Sequence, residues 1–414
     1  MSYVDKSRAK PMNAINSEQT LEQSLEQHFG FNQFRGGQKQ TIEQLLNQQS
    51  SLAIFPTGSG KSLCYQLTAL HLPHLTLVVS PLLALMKDQV DFLNSKGIKA
   101  ASLDSTLTAQ EYKQTIDDVK QGVTKILMVS VERFKNERFR HFIDQINISM
   151  LVIDEAHCIS EWGHNFRPDY LKLPMYREQL NIPLVLLLTA TATKKVKMDM
   201  AKKFDIKDEH VIQTGFYRDN LDIDVKAVKE SDKLNYITKG ISNKIQKAPD
   251  TAGIVYVTLQ KTAQDIADHL IKQGINAKAY HAGLDFELRQ KIQMDFMANK
   301  ISVVVATIAF GMGVDKSNIR FVMHYDLPKS IENFSQEIGR AGRDGEKSHC
   351  VTFANLDGIN TIENFVYGDT PEQKNIVSVL SDIKTHTDQQ KQWEMQIYQL
   401  STQCNIKQLP LKTL

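Results

Sequence analysis

The chain has 414 residues, a formal net charge of +2, and 42% hydrophobic and 23% charged residues. That length allows two or three domains with cores of their own, and the composition is that of an ordinary globular protein, neither fibrous nor low in complexity. The near-neutral balance neither requires nor excludes nucleic acid, because a local basic track suffices; with no run of about 18 apolar residues, nothing is expected to span a membrane.

The N-terminus, MSYVDKSRAKPMNAINSEQ, is polar and lacks the apolar centre of a signal peptide, so a cytoplasmic protein is expected. Cys64, Cys158, Cys350 and Cys404 form no CxxC pair. Neither a zinc site nor a disulfide framework is expected, and each thiol reads as a small buried apolar residue.

In chain order, residues 1–16 read as a flexible tail. Ser17 is placed to cap a short helix with Leu21, Leu25 and Phe29 on one face and Gly30 as its stop. Then come SLAIF (51–55), LTLVVS (75–80), KILMVS (125–130), MLVIDE (150–155) and LVLLLT (184–189). Such continuous apolar runs predict strands covered on both faces, as in a parallel sheet with crossover helices. A polar stretch near 225–236 separates these from a second series: GIVYVT (253–258), AKAYHA (277–282), SVVVAT (302–307), FVMHYDL (321–327) and HCVTFA (349–354), with helices over 261–273, 285–298 and 330–339. The fold class is α/β, with a first domain over 17–205, a second over 206–370, and a helical extension over 371–414.

FPTGSGKS (55–62) follows a strand and opens an apolar helix, the setting of a phosphate-binding loop. Thr57, Gly58, Ser59 and Gly60 bring successive backbone N–H groups to a helix N-terminus. Lys61 can reach the outer phosphates, and Ser62 can ligate Mg²⁺. The strict motif places glycine where this chain has Phe55, which points to a subclass of such loops. Asp154 and Glu155 end a buried strand, at the edge where open α/β sheets bind ligands. Asp154 suits a metal-holding role and Glu155 the activation of water. QEIGRAGRDG (336–345) carries Gln336, Arg340 and Arg343, whose guanidinium groups can meet charge developing on a transferring phosphate.

Taken in order, FGFNQFRGGQ (29–38), TGSGKSLCYQ (57–66), VVSPLLALMKDQV (78–90), DEAHCISEWGHNFRPDY (154–170), LTATAT (188–193), YHAGL (280–284), ATIAFGMGVDKSNIRFVMHYDLPKS (306–330) and QEIGRAGRDG resemble the RecQ family of superfamily 2 DNA helicases over residues 20–360. The resemblance implies two RecA-like domains with ATP in the cleft between them. It also implies ATP and Mg²⁺ dependence and 3′→5′ movement on single-stranded or partly duplex DNA. It further implies adenine recognition by Phe31, Phe34, Arg35 and Gln38, and nucleotide sensing by Asp315. Thr189 and Thr191 match the motif that links ATP state to domain closure. Ser80 and Lys87 fall in a motif lining the DNA track. Trp162, His164, Phe166 and Arg167 match the family's aromatic-rich loop, whose rings can stack on bases. His281 is open between a buried polar residue and a functional one. Val131 stands where the family usually shows proline, and the clustered cysteines of its zinc module are missing. A monomer in a bacterial cytoplasm or nucleoid is expected. Two readings remain beside DNA unwinding: an RNA helicase, and a DNA-binding module with an inactive ATPase.

IYQLSTQCNIKQLPLKTL (397–414) reads as a helix, a turn near Asn405 and the start of a second helix. Ile397 and Leu400 would share a core with Ile406, Leu409, Leu411 and Leu414, as in a winged-helix DNA binder whose domain continues past residue 414. On that reading, residues from about 385 onward are loosely docked in this chain alone.

Overall fold

The computed structural model describes residues 20–414 except 82, 105, 162–166, 216, 249, 312–313, 315, 356–372, 388–392, 405–410 and 412–414. The apolar runs form strands: β1 (Ser51–Ile54), β2 (Leu75–Val79), β3 (Ala100–Leu103), β4 (Ile126–Val129), β5 (Ile148–Ile153), β6 (Leu184–Thr189) and β7 (Val211–Gln213). They make one parallel sheet in the order β3-β4-β2-β5-β6-β1-β7. Alternate side chains of each strand enter different cores. Leu151 and Ile153 of β5 join Leu77, Val79 and Leu187 on one face, and Met150 and Val152 join Val78, Met128 and Leu186 on the other. A strand sandwiched in this way has no polar face, which is why its sequence shows no alternation.

The second series adds β8 (Leu221–Ala227), β9 (Ala252–Tyr256), β10 (Ala277–Tyr280), β11 (Val303–Ala306), β12 (Ile319–His324) and β13 (Ser348–Ala354). Their parallel order is β10-β11-β9-β12-β13-β8. Contacts divide the chain into two units. The first is Met1–Asn220 with Gly311–Ser317 and Ser335–Gly345; the second is Leu221–Phe310, Asn318–Phe334 and Glu346–Leu414.

Several elements differ from expectation. The first helix runs Leu21–Phe29, and its cap is Thr20, not Ser17, which lies outside the described residues. Thr20 Oγ1 accepts the Gln23 N–H at 3.3 Å, and Gln23 Oε1 accepts the Thr20 N–H at 2.9 Å. The glutamine three residues on makes Thr20 the better cap, and Gly30 at φ 75° ends the helix. The polar stretch near 225–236 holds part of β8 and the start of an 18-residue helix, Glu230–Lys247. Its apolar face buries Ile237 and Ile241, together with Lys233, whose ammonium pairs with Glu230 at 2.8 Å and lies over the Tyr325 ring.

Toward the C-terminus, helices Gln373–His386 and Ile397–Cys404 pack through Val379, Leu400 and Cys404, with Leu411 in the same cluster. Trp393 Nε1 and Gln403 Nε2 both donate to the Asp382 carboxylate, at 3.0 and 3.1 Å. The expected partners Ile406, Leu409 and Leu414 lie outside the described residues.

In β9, Gly253 lies under the Phe321 ring, where a Cβ would sit 2.1 Å from the ring carbons. Gly253→Ala should therefore destabilise the chain by about 1–3 kcal/mol through overpacking, read as a lower chemical-denaturation midpoint. Adding Phe321→Leu should recover part of the loss. A neutral Gly253→Ala would show that the ring can move aside.

Candidate active site

β1 runs through Phe55 and Pro56 into the loop Thr57–Lys61, and helix Ser62–His71 follows. Phe55 is fully buried and its ring lies against Gly37; a Cβ on Gly37 (φ 80°) would come within 2.6 Å of it. The position where the strict motif has glycine thus holds a core side chain instead. Gly58 and Gly60 have φ of 83° and 77°, a conformation glycine adopts without strain.

Gln38 braces this loop. Its carboxamide is buried. Nε2 donates to the Ser59 and Gly60 carbonyls, both at 3.0 Å, while Oε1 accepts the Arg35 N–H at 2.8 Å. Arg35 Nη1 donates to the Gly58 carbonyl at 2.9 Å. Phe34 packs partly buried against the neighbouring core, and Phe31 is half exposed. Lys61 Nζ donates to the Phe55 carbonyl at 3.2 Å. Burial pulls its pKa down, and the nearby Glu155 and Asp154 carboxylates oppose that shift. Ser59 Oγ is buried with no hydrogen-bond partner, a polar atom in want of a ligand.

The carboxylates stand at the C-terminal end of β5, in the same sheet as β1. The Asp154 N–H donates to the Val79 carbonyl at 2.9 Å; its carboxylate accepts Ser80 Oγ at 3.3 Å and the Glu155 N–H at 2.9 Å. Burial, then the Glu155 charge, pushes its pKa up to about 6. Glu155 takes φ 49° and ψ 46°, a left-handed conformation unusual outside glycine and asparagine. Its Oε2 lies 3.3 Å from Nδ1 of buried His157, and that nitrogen lies 2.9 Å from Thr189 Oγ1. Thr189 Oγ1 donates to the Thr191 carbonyl at 3.0 Å. Its one proton is thereby used, so His157 Nδ1 carries the hydrogen that Thr189 accepts. His157 is thus hydrogen-bonded to Thr189 and, through it, linked to Thr191, while Glu155 Oε2, facing the same nitrogen, is buried without a hydrogen-bond partner.

The segment Ser335–Gly345 belongs to the first unit. The side chain of Arg343 passes 3.3 Å from where a Gly58 Cβ would be, and its charge helps lower the Lys61 pKa. Arg340 is buried, and its Nη1 donates to the Gly311 carbonyl; Gly311, at φ 126°, leaves the guanidinium no room for a Cβ. Thr57 packs on Gly339, whose Cβ position is 3.0 Å from its own. Gln336 is half-buried near the end of helix Ile331–Ile338.

The structure thus brings together Gln38, Arg35, Thr57, the loop glycines, Lys61, Asp154, Glu155 and Arg343. Ser80, expected on a nucleic-acid track, is buried and bonded to Asp154. Lys87 is exposed on helix Leu83–Ser95, and Arg167 Nη1 lies 3.9 Å from Glu132. Trp162, His164, Phe166 and Asp315 lie outside the described residues. Three residues escaped the motif reading: His157, Arg218 and Asn220. Of these only His157 had a local signal, its place two positions after Glu155.

Ser62 and Asp154 offer one hydroxyl and one carboxylate. That set suits Mg²⁺, which keeps several waters and takes phosphate oxygens, and the orphaned Ser59 hydroxyl suits a phosphate. Among the described residues, no group of three or more His, Cys, Asp or Glu could hold a metal by itself, and no helix is long and apolar enough to cross a membrane.

The DEAD/DEAH box helicase family matches residues 35–199, and the helicase conserved C-terminal domain matches residues 232–345. "ATP-dependent DNA helicase RecQ" of Bacillus subtilis is 43% identical over 79% of this chain and 55% of its own length. The Pasteurella multocida protein of the same name is 41% identical over 84% and 54%, and "RecQ-like DNA helicase blm-1" of Caenorhabditis elegans is 42% identical over 80% and 34%. The chain spans about half the length of these two bacterial relatives. Among solved structures, Mycobacterium smegmatis helicase Lhr bound to ssDNA and AMP-PNP has a TM-score of 0.65 at 19% identity, covering 89% of this chain and 53% of that one. S. cerevisiae Dbp5 bound to RNA and ADP BeF3 has a TM-score of 0.63 at 18% identity, covering 83% and 91%. At those identities the likeness concerns the fold: two parallel-sheet α/β domains of the RecA-like helicase type. With both helicase domains matched and relatives above 40% identity along four-fifths of the sequence, the chain belongs to the RecQ family of DNA helicases.

Proposed function

We propose that this chain is an ATP-dependent 3′→5′ DNA helicase, which hydrolyses ATP to move as a monomer along single-stranded DNA and open duplexes in recombination and repair. The observation that carries this reading is the convergence of Lys61, the Asp154–Glu155 pair and Arg343 on one glycine loop. The loop amides and Lys61 bind the phosphates. Mg²⁺ held by Asp154 and Ser62 would neutralise phosphate charge. Glu155 orients the attacking water and takes its proton. Arg343 is the arginine whose side chain crosses the loop at Gly58, while Arg340 is engaged with Gly311; Arg343 meets charge developing on the transferring phosphate. Phe31, Phe34, Arg35 and Gln38 hold the adenine end, with Asp315 sensing the nucleotide. Trp162 and Phe166 stack on bases, and His164, Arg167 and Lys87 line the strand's path.

The decisive experiment is unwinding of duplexes with a 3′ or a 5′ single-stranded tail, in DNA and in RNA. Opening of the 3′-tailed DNA alone is expected. A preference for RNA tails would turn the reading to an RNA helicase, and a preference for 5′ tails would reverse the direction.

Lys61→Ala should lower kcat by about 100-fold or more, the scale of losing one electrostatic group at the reacting phosphate. The melting temperature should not fall, since burial already disfavours the ammonium. Near-normal turnover would remove the phosphate-site assignment. Glu155→Gln should bind Mg·ATP normally and lose about 10²- to 10⁴-fold in kcat, the range for a general base; an unchanged kcat would place water activation elsewhere. Trp162→Ala combined with Phe166→Ala should abolish DNA stimulation of turnover and unwinding while leaving nucleotide affinity intact. Equal loss of DNA-free and DNA-stimulated turnover would mark both rings as core residues.

A further inference from the structure

Arg218 and Asn220 lie between β7 and β8, in a segment that carries no recognised motif. Arg218 Nη1 donates to the Gly339 carbonyl at 3.2 Å and Nη2 donates to the Gly342 carbonyl; Asn220 Nδ2 donates to the same Gly342 carbonyl at 2.9 Å. These contacts lie within the first unit. Gly342 has φ 56° and immediately precedes Arg343. Thr57 of the phosphate loop packs on Gly339, Arg343 crosses Gly58, and Arg218 Nη1 is itself 3.9 Å from the Gly58 Cβ position. A turn with a left-handed glycine has little stiffness of its own. A planar guanidinium that spans two of its carbonyls supplies that stiffness as no single point donor can.

We propose that Arg218, seconded by Asn220, is a positioning residue for phosphoryl transfer: it clamps the turn 339–342 and so delivers Arg343 to the phosphate loop. This rests on the reading of Arg343 as the group that meets phosphate charge. Arg218 acts through Arg343, so its loss should fall on the reaction and spare ground-state binding. A side chain displaced by an ångström from its productive place costs about 10- to 100-fold in rate.

The test uses the full chain with saturating single-stranded DNA. Arg218→Ala, Arg218→Lys, Asn220→Ala, Arg343→Ala and the Arg218→Ala/Arg343→Ala double variant are compared in kcat, KM for ATP, and affinity for Mg·ADP with and without aluminium fluoride. Arg218→Ala should lower kcat by about 10- to 100-fold with KM for ATP nearly unchanged. It should weaken the aluminium fluoride complex by a similar factor and leave ADP affinity as it was. Arg218→Lys, which keeps the charge but cannot span two carbonyls, should fall with it; Asn220→Ala should show a smaller loss of the same kind. The double variant should be no worse than Arg343→Ala. Thermal midpoints of all five provide the folding control, and Asn220→Ala and Arg218→Lys carry the test if Arg218→Ala does not fold. If Arg343→Ala loses the aluminium fluoride complex while Arg218→Lys and Asn220→Ala keep it, the positioning role is overturned. Additive losses in the double variant would overturn it too, by showing that Arg218 acts independently. If Arg343→Ala changes neither quantity, the assignment of Arg343 falls, and this inference with it.

Discussion

Two glycines with positive φ give the loop Thr57–Lys61 its shape, and the buried carboxamide of Gln38 holds it there. Its nitrogen spends both protons on the Ser59 and Gly60 carbonyls, and its oxygen accepts the Arg35 N–H. The fit is close enough that a Cβ on Gly60 would come within 2.8 Å of Gln38 Nε2. Losing either of these part-buried hydrogen bonds would cost about 0.5–1.5 kcal/mol, so the conformation is bound up with this one side chain. From it follow the path of the loop, the place of Lys61 within reach of the Asp154 and Glu155 charges, and the surface on which Thr57 and Gly58 meet the segment Ser335–Gly345.

A second constraint leads away from the carboxylates. Glu155 occupies a left-handed conformation at the head of the turn Ala156–Ile159, whose His157 is hydrogen-bonded to Thr189, which in turn bonds Thr191 beyond the end of β6. The same turn holds the far end of the aromatic stretch, because the Arg167 N–H donates to the Cys158 carbonyl at 3.1 Å. Cys158, three positions after Glu155, thereby anchors Arg167 to the same turn.

Much of this was legible in the sequence, for identifiable reasons. Strands covered on both faces need uninterrupted apolar residues, so β1, β2, β4, β5 and β6 announced themselves. The phosphate loop and the Asp154–Glu155 pair each occupy a few consecutive residues. What escaped was either exposed or long-range. β8 alternates apolar and charged residues as an edge strand, with Ile223 and Val225 at least half exposed, and helix Glu230–Lys247 is mostly polar because only one stripe of it is buried. Arg218 meets Gly339 and Gly342, which lie 121 and 124 positions further on; no local pattern encodes that. Gln38 was singled out only through the resemblance of FGFNQFRGGQ to a family motif, and its grip on the loop carbonyls was not foreseen, since only the fold brings residue 38 to residues 59 and 60.

The central claim is that this site turns over ATP in response to a DNA strand. Steady-state ATP hydrolysis by the purified chain, titrated with single-stranded DNA and with RNA of the same sequence and length, tests it most directly. Turnover that rises severalfold and saturates with DNA, and responds weakly to RNA, is the expected result. Turnover that is absent, or indifferent to either strand, would contradict it.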